Sequence, residues 1–164
     1  MTLILIFLFF LTSCDHPTTT TYYLVRHAEK ACEDCNACGL SPKGTSRAGA
    51  LASYLSTKGI DAIFASQCQR TQDTAEPLAS QLGKNVTIYN TEELNTFIAS
   101  LKTQTNKDIL IVGHSNQIPI IVQALSSKQV SMSDSDFDNL YVIRKSTSAS
   151  AGSLKKMTYG VKTK

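Results

Sequence analysis

Short apolar runs alternate along the chain with longer segments in which apolar residues recur at helical spacing. The last two runs follow one another without such a segment between them. Strands that alternate with helices are typical of α/β proteins. The pattern therefore predicts a three-layer α/β/α sandwich around a mostly parallel central sheet. The predicted strands are 22–25, 61–65, 86–89, 108–112, 140–144 and 153–159, and the predicted helices are 42–58, 71–82, 92–103 and 116–126.

Residues at the ends of these segments support the pattern. Ser41 and Pro42 are residue types preferred at a helix N-cap and at the first helical position. Gly59 and Gly83 follow predicted helices, where glycine readily adopts the left-handed backbone that ends a helix. The strand at 108–112 holds a continuous apolar run, which is typical of a buried central strand. The last two strands are predicted to close the sheet as an antiparallel pair.

The N-terminal segment is predicted to lie outside the folded domain. Residues 3–11 are an unbroken run of Leu, Ile and Phe, shorter than the roughly 20 residues that span a bilayer but of a length found in signal peptides. The Leu-Thr-Ser-Cys sequence at 11–14 resembles the lipobox of bacterial lipoproteins, and this resemblance implies lipidation of Cys14. The predicted divisions are a signal peptide over 1–14, a tether over 15–21 and the folded domain over 22–164.

On this interpretation the protein is exported and anchored through Cys14 to a bacterial membrane. No Lys or Arg precedes Arg26, so the positive n-region usual in signal peptides is missing. An uncleaved apolar tail and a buried N-terminal strand are the alternatives.

Composition and charge narrow the classes of partner. The 164 residues suffice for one domain, and 42% hydrophobic with 18% charged residues is ordinary for a globular protein. The formal net charge is only +3, and neither a Lys/Arg run nor a nucleic-acid-binding motif occurs. Nucleic acid is therefore excluded as an expected partner, and the oligomeric state is left open.

Four cysteines remain when Cys14 is set aside. An even number in an exported protein favours disulfides, and we expect Cys68 to bond one of the other three, because both loops should leave neighbouring strands. The C-x-x-C-x-x-C spacing could instead hold a metal with Cys68 as the fourth ligand, and free thiols are the third possibility. Disulfides are preferred, so neither a metal nor another cofactor is expected. The other three cysteines are Cys32, Cys35 and Cys38.

Two arginines and two histidines follow the ends of predicted strands. Arg26 and His27 come directly after the first strand, Arg70 follows the second, and His114 follows the fourth. In an open α/β sheet the carboxyl ends of the strands converge on the ligand site. Guanidinium groups bind phosphoryl oxygens in a fork, and a neutral imidazole is a nucleophile. This set predicts a site for a small phosphorylated substrate.

Four motifs resemble those of the histidine phosphatase superfamily, the phosphoglycerate-mutase-like group. R-H-A at 26–28 is similar to its R-H-G signature, and Ser-Pro-x-Gly at 41–44 to the element that opens its first helix. S-x-x-x-R-T-x-x-T-A at 66–75 resembles its second-arginine element, and V-G-H-S-N at 112–116 its second-histidine element. The resemblance covers about residues 22–143. It implies a phosphoglycerate-mutase-like fold and metal-independent hydrolysis of phosphomonoesters or related phosphoryl compounds.

The resemblance also implies roles for individual residues. His27 attacks phosphorus and becomes a phosphohistidine, while the charges of Arg26 and Arg70 keep its imidazole neutral. The two guanidinium groups bind the phosphoryl oxygens and stabilise the transition state. His114 donates to a further oxygen, and the backbone N–H of Ser115 is expected to help. Water then hydrolyses the phosphohistidine.

The proton donor for the leaving group is the weakest part of the resemblance, because the fuller motif around the family's acid is absent. By position Glu93 is expected to be the general acid and Glu92 a substrate contact. Both are also the residue type favoured in the first turn of a helix. Without an acid the enzyme would favour good leaving groups. The alternatives are an inactive phosphate-binding module, a cysteine- or metal-organised module, and a phosphomutase, for which 164 residues leave little room.

Overall fold

A computed structural model of the chain describes residues 17–34 and 38–163. Helices cover both faces of one sheet in this part of the chain, so the predicted three-layer α/β/α fold is confirmed. The elements are β1 (Thr19–Arg26), α1 (Pro42–Leu55), β2 (Ala62–Ser66), α2 (Gln69–Leu82), β3 (Val86–Tyr89), a 3₁₀ turn (Thr91–Glu93), α3 (Leu94–Lys102), β4 (Asp108–Gly113), α4 (Ile118–Ser126), β5 (Asn139–Ser146) and β6 (Ser153–Thr158).

The strand order β3-β2-β4-β1-β5-β6 places the strands that carry the candidate site side by side. The first four strands in this order pair in parallel, whereas β5 and β6 add as the predicted antiparallel pair. In the register of β1 and β4, Arg26 lies opposite Gly113, and in that of β2 and β4, Ala65 lies opposite Val112. The carboxyl ends of β1, β2 and β4 therefore meet at one edge.

The two faces of the sheet bury alternate residues of each strand. Tyr23 and Val25 of β1 pack with α1 and α2 on one face, and Tyr22 and Leu24 pack with α3 and α4 on the other. Residues 109–112 of β4 are fully buried. This explains why the central strand reads as a continuous apolar run rather than as an alternating one.

The first strand begins earlier than the sequence pattern predicts. The tether was expected to reach residue 21, but Thr19–Thr21 belong to β1, where they pair with β5. Thr20 and Thr21 are buried, and the N–H of Thr21 donates to the backbone oxygen of Lys107 at 2.8 Å. Threonine is a good strand former, so Thr19–Thr21 extend the sheet, and these three residues are not part of a linker.

The predicted signal peptide, the lipidation site Cys14 and the start of the tether lie outside the described residues. Within the described ranges, the helices are all too short or too polar to cross a membrane.

The start of α1 is locked to the segment that follows the candidate nucleophile. The backbone N–H and the hydroxyl of Ser41 donate to the oxygen of Glu29 at 2.9 and 3.1 Å, and the hydroxyl accepts from the N–H of Gly44 at 3.1 Å. A Cβ on Gly44 would lie 2.1 Å from that same Glu29 oxygen. The Glu29 carboxylate accepts from Nε and Nη2 of Arg47, each at 2.8 Å. The close approach of Gly44 to the Glu29 oxygen requires glycine. These contacts hold the backbone two residues after His27.

Candidate active site

The structure brings five of the predicted site residues to one open pocket of about 320 Å³ at the carboxyl edge of the sheet. They come from the end of β1, the first turn of α2 and the turn between β4 and α4. Five further residues of its lining that sequence reasoning did not single out are Lys30, Gln67, Thr91, Gln117 and Asp134. The five predicted residues are Arg26, His27, Arg70, His114 and Ser115.

His27 is held as a neutral imidazole with one nitrogen free. Its ring is 3% exposed, and Nδ1 lies 2.8 Å from the oxygen of Ala28. A carbonyl can only accept, so Nδ1 carries the proton and Nε2 keeps its lone pair. Burial, followed by the charges of Arg26 and Arg70, lowers the pKa of His27 to about 3 against the opposing effect of the Ala28 contact. The imidazole is therefore an unprotonated nucleophile at neutral pH.

Arg26 is oriented by the loop between α4 and β5. One terminal nitrogen donates to the oxygen of Ser133 at 3.2 Å, and the other lies 3.6 Å from a carboxylate oxygen of Asp134. The ring of Phe137 packs on the guanidinium, 4.4 Å from its carbon to the ring centroid, and lies 6.1 Å from the ring of His27. Burial lowers the pKa of Arg26 from its ordinary value, but an arginine remains charged.

Three buried guanidinium nitrogens of the site have no hydrogen-bond partner among the described residues. They are Nε of Arg26 and both Nε and Nη1 of Arg70. A buried donor without an acceptor is costly, and native proteins satisfy almost all such groups. The three donors therefore suit an anion with several oxygens, as a phosphoryl group has.

His114 faces His27 across the pocket, with 5.2 Å between the ring centroids. Its Nε2 lies 2.8 Å from the hydroxyl of Ser66, and its Nδ1 lies 3.5 Å from Nη2 of Arg70. Burial, then the charges of Arg70 and Arg26, lower its pKa to about 4. His114 is therefore also neutral at neutral pH.

Two small residues of the motifs have structural reasons to be present. The hydroxyl of Thr74 accepts from the N–H of Ala28 at 2.9 Å and donates to the oxygen of Arg70 at 2.7 Å, which fixes the second arginine against the end of β1. A Cβ on Gly113 would lie 2.7 Å from the Tyr89 hydroxyl and 3.0 Å from Ile118. Glycine at this position therefore leaves room for the Tyr89 and Ile118 side chains to pack against the end of β4.

The structure does not place Glu92 and Glu93 in the pocket. The side chain of Gln67 donates to the Thr91 hydroxyl at 2.8 Å and accepts from its N–H at 3.1 Å, so Thr91 contributes to the lining instead. The side chain of Asn90 caps the 3₁₀ turn by accepting from the N–H of Glu92. Neither glutamate of this turn lines the pocket. Glu93 lines a separate cavity beside Tyr89.

Among the described residues that line the pocket, Asp134 is the one carboxylate. It accepts from the Ser115 hydroxyl at 2.7 Å, and this bond together with the charge of Arg26 lowers its pKa. It is therefore ionised at neutral pH and is a poor proton donor. Its loop is a run of serines and aspartates with no periodicity, so the sequence carried no signal for Asp134 or for Phe137.

The turn before α4 differs from the predicted one. The helix begins at Ile118 rather than at residue 116, and the N–H groups of Gln117 and Ile118 both donate to the oxygen of His114 at 3.0 Å. Ser115 lies in the turn between β4 and α4 and lines the pocket.

The cysteines form disulfides in the described part of the chain. Cys32 bonds Cys38, and Cys68, which caps α2 and lines the pocket, is also disulfide-bonded. Cys35, the remaining candidate partner for Cys68 in the loop, lies outside the described residues. Oxidised sulfurs are not the thiolates that a zinc site needs, and the described residues contain no cluster of His, Cys, Asp and Glu suited to a metal.

Comparisons with known proteins agree with the fold. The profile of the histidine phosphatase superfamily (branch 1) matches residues 22–97. The protein histidine phosphatase SixA complexed with tungstate aligns with a TM-score of 0.68 and 16% identity over 84% of this chain and 96% of that one. The putative phosphohistidine phosphatase SixA from Agrobacterium tumefaciens aligns with 0.63 and 20% over 88% and 100%.

The phosphoserine phosphatase of Entamoeba histolytica, in complex with 3-phosphoglyceric acid, aligns with a TM-score of 0.62 and 16% identity over 87% of this chain and 98% of that one. At such identities these structures show the shared fold. No curated protein sequence matches the chain.

Proposed function

Because the profile of the histidine phosphatase superfamily matches residues 22–97, we propose that the chain is a member of this superfamily and a metal-independent phosphatase that acts through a phosphohistidine on His27. The observation that carries this proposal is the group of three unpartnered guanidinium nitrogens on Arg26 and Arg70, beside an imidazole whose Nε2 is free. A phosphoryl group supplies the oxygens that the donors lack, and it places phosphorus next to the lone pair.

The reaction has two steps that balance on His27. Nε2 attacks phosphorus, the bond between phosphorus and the leaving group breaks, and the electron pair departs with the leaving group. Arg26 and Arg70 hold the equatorial oxygens and stabilise the charge that these oxygens carry in the transition state. Water then attacks the phosphohistidine, the P–N bond breaks and its electron pair returns to Nε2. One proton of the water passes to solvent, inorganic phosphate leaves, and neutral His27 is restored.

The carboxylates point to substrates with good leaving groups. Asp134 is ionised and engaged by Ser115, and Glu92 and Glu93 are absent from the pocket lining. A simple alkoxide leaves slowly without a proton donor, whereas an aryl oxide or an imidazole leaves readily.

Phosphohistidine peptides are the preferred substrate class within this proposal. Transfer from a phosphohistidine to His27 exchanges one P–N bond for another of the same kind, so the first step is nearly balanced in energy. The open mouth of the pocket has room for a side chain presented by a protein. One of the similar structures is described as a protein histidine phosphatase and another as a putative phosphohistidine phosphatase.

Hydrolysis of a chromogenic aryl phosphate, with and without a chelator, tests the activity. We expect chelator-resistant turnover in the wild-type protein, none in His27→Ala, and a small residue in His114→Ala, because only His27 forms the covalent bond. Loss of turnover with chelator would contradict metal independence. Acid-labile label trapped on His27→Ala would contradict the assignment of the nucleophile.

A panel of substrates tests the class. It should contain phosphohistidine peptides, aryl phosphates, sugar phosphates and nucleotides. We expect the highest kcat/KM for the phosphohistidine peptides. Phosphate binding without turnover on any member would instead indicate an inactive phosphate-binding module.

We also propose that the protein is exported and lipid-anchored on Cys14. The apolar run at residues 3–11 supports this, as do disulfides at Cys32 and Cys68, because disulfides persist in oxidising compartments. Cys14→Ser should move the protein from the membrane to the soluble fraction, whereas Ser13→Ala, which keeps the thiol, should leave it on the membrane. Unchanged membrane retention of Cys14→Ser would contradict the anchor.

A further inference from the structure

A chain of hydrogen bonds leads from His114 away from the pocket and into the core. Nε2 of His114 lies 2.8 Å from Oγ of Ser66, which lies 2.9 Å from Oγ1 of Thr71. Oγ1 of Thr71 in turn lies 2.6 Å from the oxygen of Cys68 and 2.9 Å from that of Ser66. Ser66 and Thr71 are fully buried, so their hydroxyl protons must be shared among these atoms.

Only one arrangement of protons gives each link from His114 through Ser66 and Thr71 to a backbone oxygen one donor and one acceptor. A carbonyl only accepts, so the single proton of Thr71 goes to a backbone oxygen, the shortest contact being that to Cys68. Ser66 must then donate its own proton to Thr71, which leaves its oxygen as the acceptor for His114. Nε2 of His114 therefore carries the proton.

The contact on the other side of the His114 ring independently indicates the same tautomer. Arginine has no acceptor, so the contact of Nη2 of Arg70 with Nδ1 of His114 is favourable only if Nδ1 is unprotonated. His27 and His114 are thus held in opposite tautomers, since His27 carries its proton on Nδ1.

We propose that Ser66 and Thr71 are positioning residues that hold resting His114 as the Nε2–H tautomer, so that His114 must take up a proton on Nδ1 before it can donate to a bound phosphoryl group. The proton comes from a hydronium ion of the solvent, which becomes water, and it adds to the Nδ1 lone pair and converts the imidazole to an imidazolium. No covalent bond of the protein breaks, but Nδ1 no longer accepts from Nη2 of Arg70. The second half of this proposal rests on the proposed function, whereas the first half does not.

The charges around His114 explain why proton uptake would accompany binding. Arg70 on α2, Arg26 at the end of β1 and Lys30 in the loop after β1 all raise the cost of a further positive charge, as does burial. The ring of His27 on the facing side is neutral. A phosphoryl dianion between these cations reverses the local field, which favours the imidazolium. The rim carboxylate of Asp134 does not reach His114 as a partner.

Nitrogen-15 NMR of the histidine rings in the resting full-length protein tests the first half directly. We expect Nε2 of His114 to resonate as a protonated nitrogen and Nδ1 as an unprotonated one. The reverse assignment in the wild-type protein would overturn the proposal, whatever the variants do.

Variants at the two hydroxyls separate positioning from packing. Thr71→Val keeps the shape of the side chain and removes the hydroxyl, whereas Thr71→Ser keeps the hydroxyl and removes a methyl group. We expect Thr71→Val and Ser66→Ala to change the tautomer ratio of His114 by about fivefold or more, because a neutral hydrogen bond is worth about that factor. Thr71→Ser should retain the wild-type ratio. An unchanged ratio in both Thr71→Val and Ser66→Ala would overturn the relay.

Titration with inorganic phosphate tests the second half. In the wild-type protein we expect Nδ1 of His114 to become protonated as phosphate binds. Shifted Arg70 side-chain resonances with Nδ1 still unprotonated would overturn proton uptake and leave the relay intact. Absence of phosphate binding would overturn proton uptake together with the proposed function, and the resting spectrum would still decide the tautomer.

Discussion

Replacing Gly44 by alanine should break the junction between α1 and the segment after His27. The new Cβ would lie 2.1 Å from the oxygen of Glu29 and 3.0 Å from its carbonyl carbon and nitrogen. These are backbone atoms, so no side-chain rotation can relieve the contact. Gly49 on the same helix is the matched control, because its Cβ would meet nothing within 4 Å.

The expected energies have opposite signs at the two positions. Alanine gains about 0.5–1 kcal/mol over glycine inside a helix. At Gly44 this gain is outweighed by overpacking, which costs about 1–3 kcal/mol, and by the loss of the Ser41 cap, worth about 1 kcal/mol. We therefore expect a net loss of about 2–3 kcal/mol for Gly44→Ala and a gain of about 0.5–1 kcal/mol for Gly49→Ala.

Thermal unfolding of the two variants tests these values. For a chain of this size about 1 kcal/mol corresponds to about 2–4 °C in Tm, so Gly44→Ala should lower Tm by about 4–12 °C and Gly49→Ala should raise it slightly. Since Glu29 follows His27 by two residues, Gly44→Ala should also reduce kcat/KM by about 10- to 100-fold. A Gly44→Ala protein as stable as Gly49→Ala would refute the close-approach argument.

Three further outcomes follow from the site. Arg26→Lys and Arg70→Lys should each lower kcat/KM by about 100-fold, because an ammonium cannot pair two oxygens at once; near wild-type rates would show that charge alone suffices. The pKa values of His27 and His114, about 3 and about 4, lie below the unfolded value of about 6.5, so the unfolded state binds protons first as the pH falls. The free energy of unfolding, measured with urea, should therefore be at its full value above about pH 6.5. Below that pH it should decrease by up to about 1.4 kcal/mol per pH unit for each histidine. A free energy of unfolding that stays constant between about pH 7 and 5 would contradict this. Phe137→Ala should weaken phosphate binding measured by calorimetry by about 3- to 10-fold through loss of the cation–π contact, whereas Phe137→Tyr should not.

Periodicity and motif order were enough to predict the sheet, the helices and the meeting of Arg26, His27, Arg70 and His114. These residues follow parallel strands, and the carboxyl ends of parallel strands lie at one edge of the sheet. The fold class therefore determines where the residues meet. The start of β1 was missed because threonines read equally well as a polar linker and as a strand, and pairing with β5 decides between them.

The carboxylate was harder to predict because it depends on loop contacts. Glu92 and Glu93 follow the correct strand, but the pairing of Gln67 with Thr91 takes the place that one of them would need. Asp134 enters the pocket from a loop about 20 residues beyond His114, and nothing in local sequence specifies such a contact.

The position of β1 in the sheet has a consequence for the order in which the chain folds. Both neighbours of this strand are distant in sequence, since Thr21 pairs with Asp108 on one side and Val25 pairs with Leu140 on the other. Such non-local pairing folds slowly, because the loop must close before its contacts contribute. The strand that ends at Arg26 is therefore completed only after β5 has been synthesised. We expect that an N-terminal fragment that ends before β5 does not assemble the pocket.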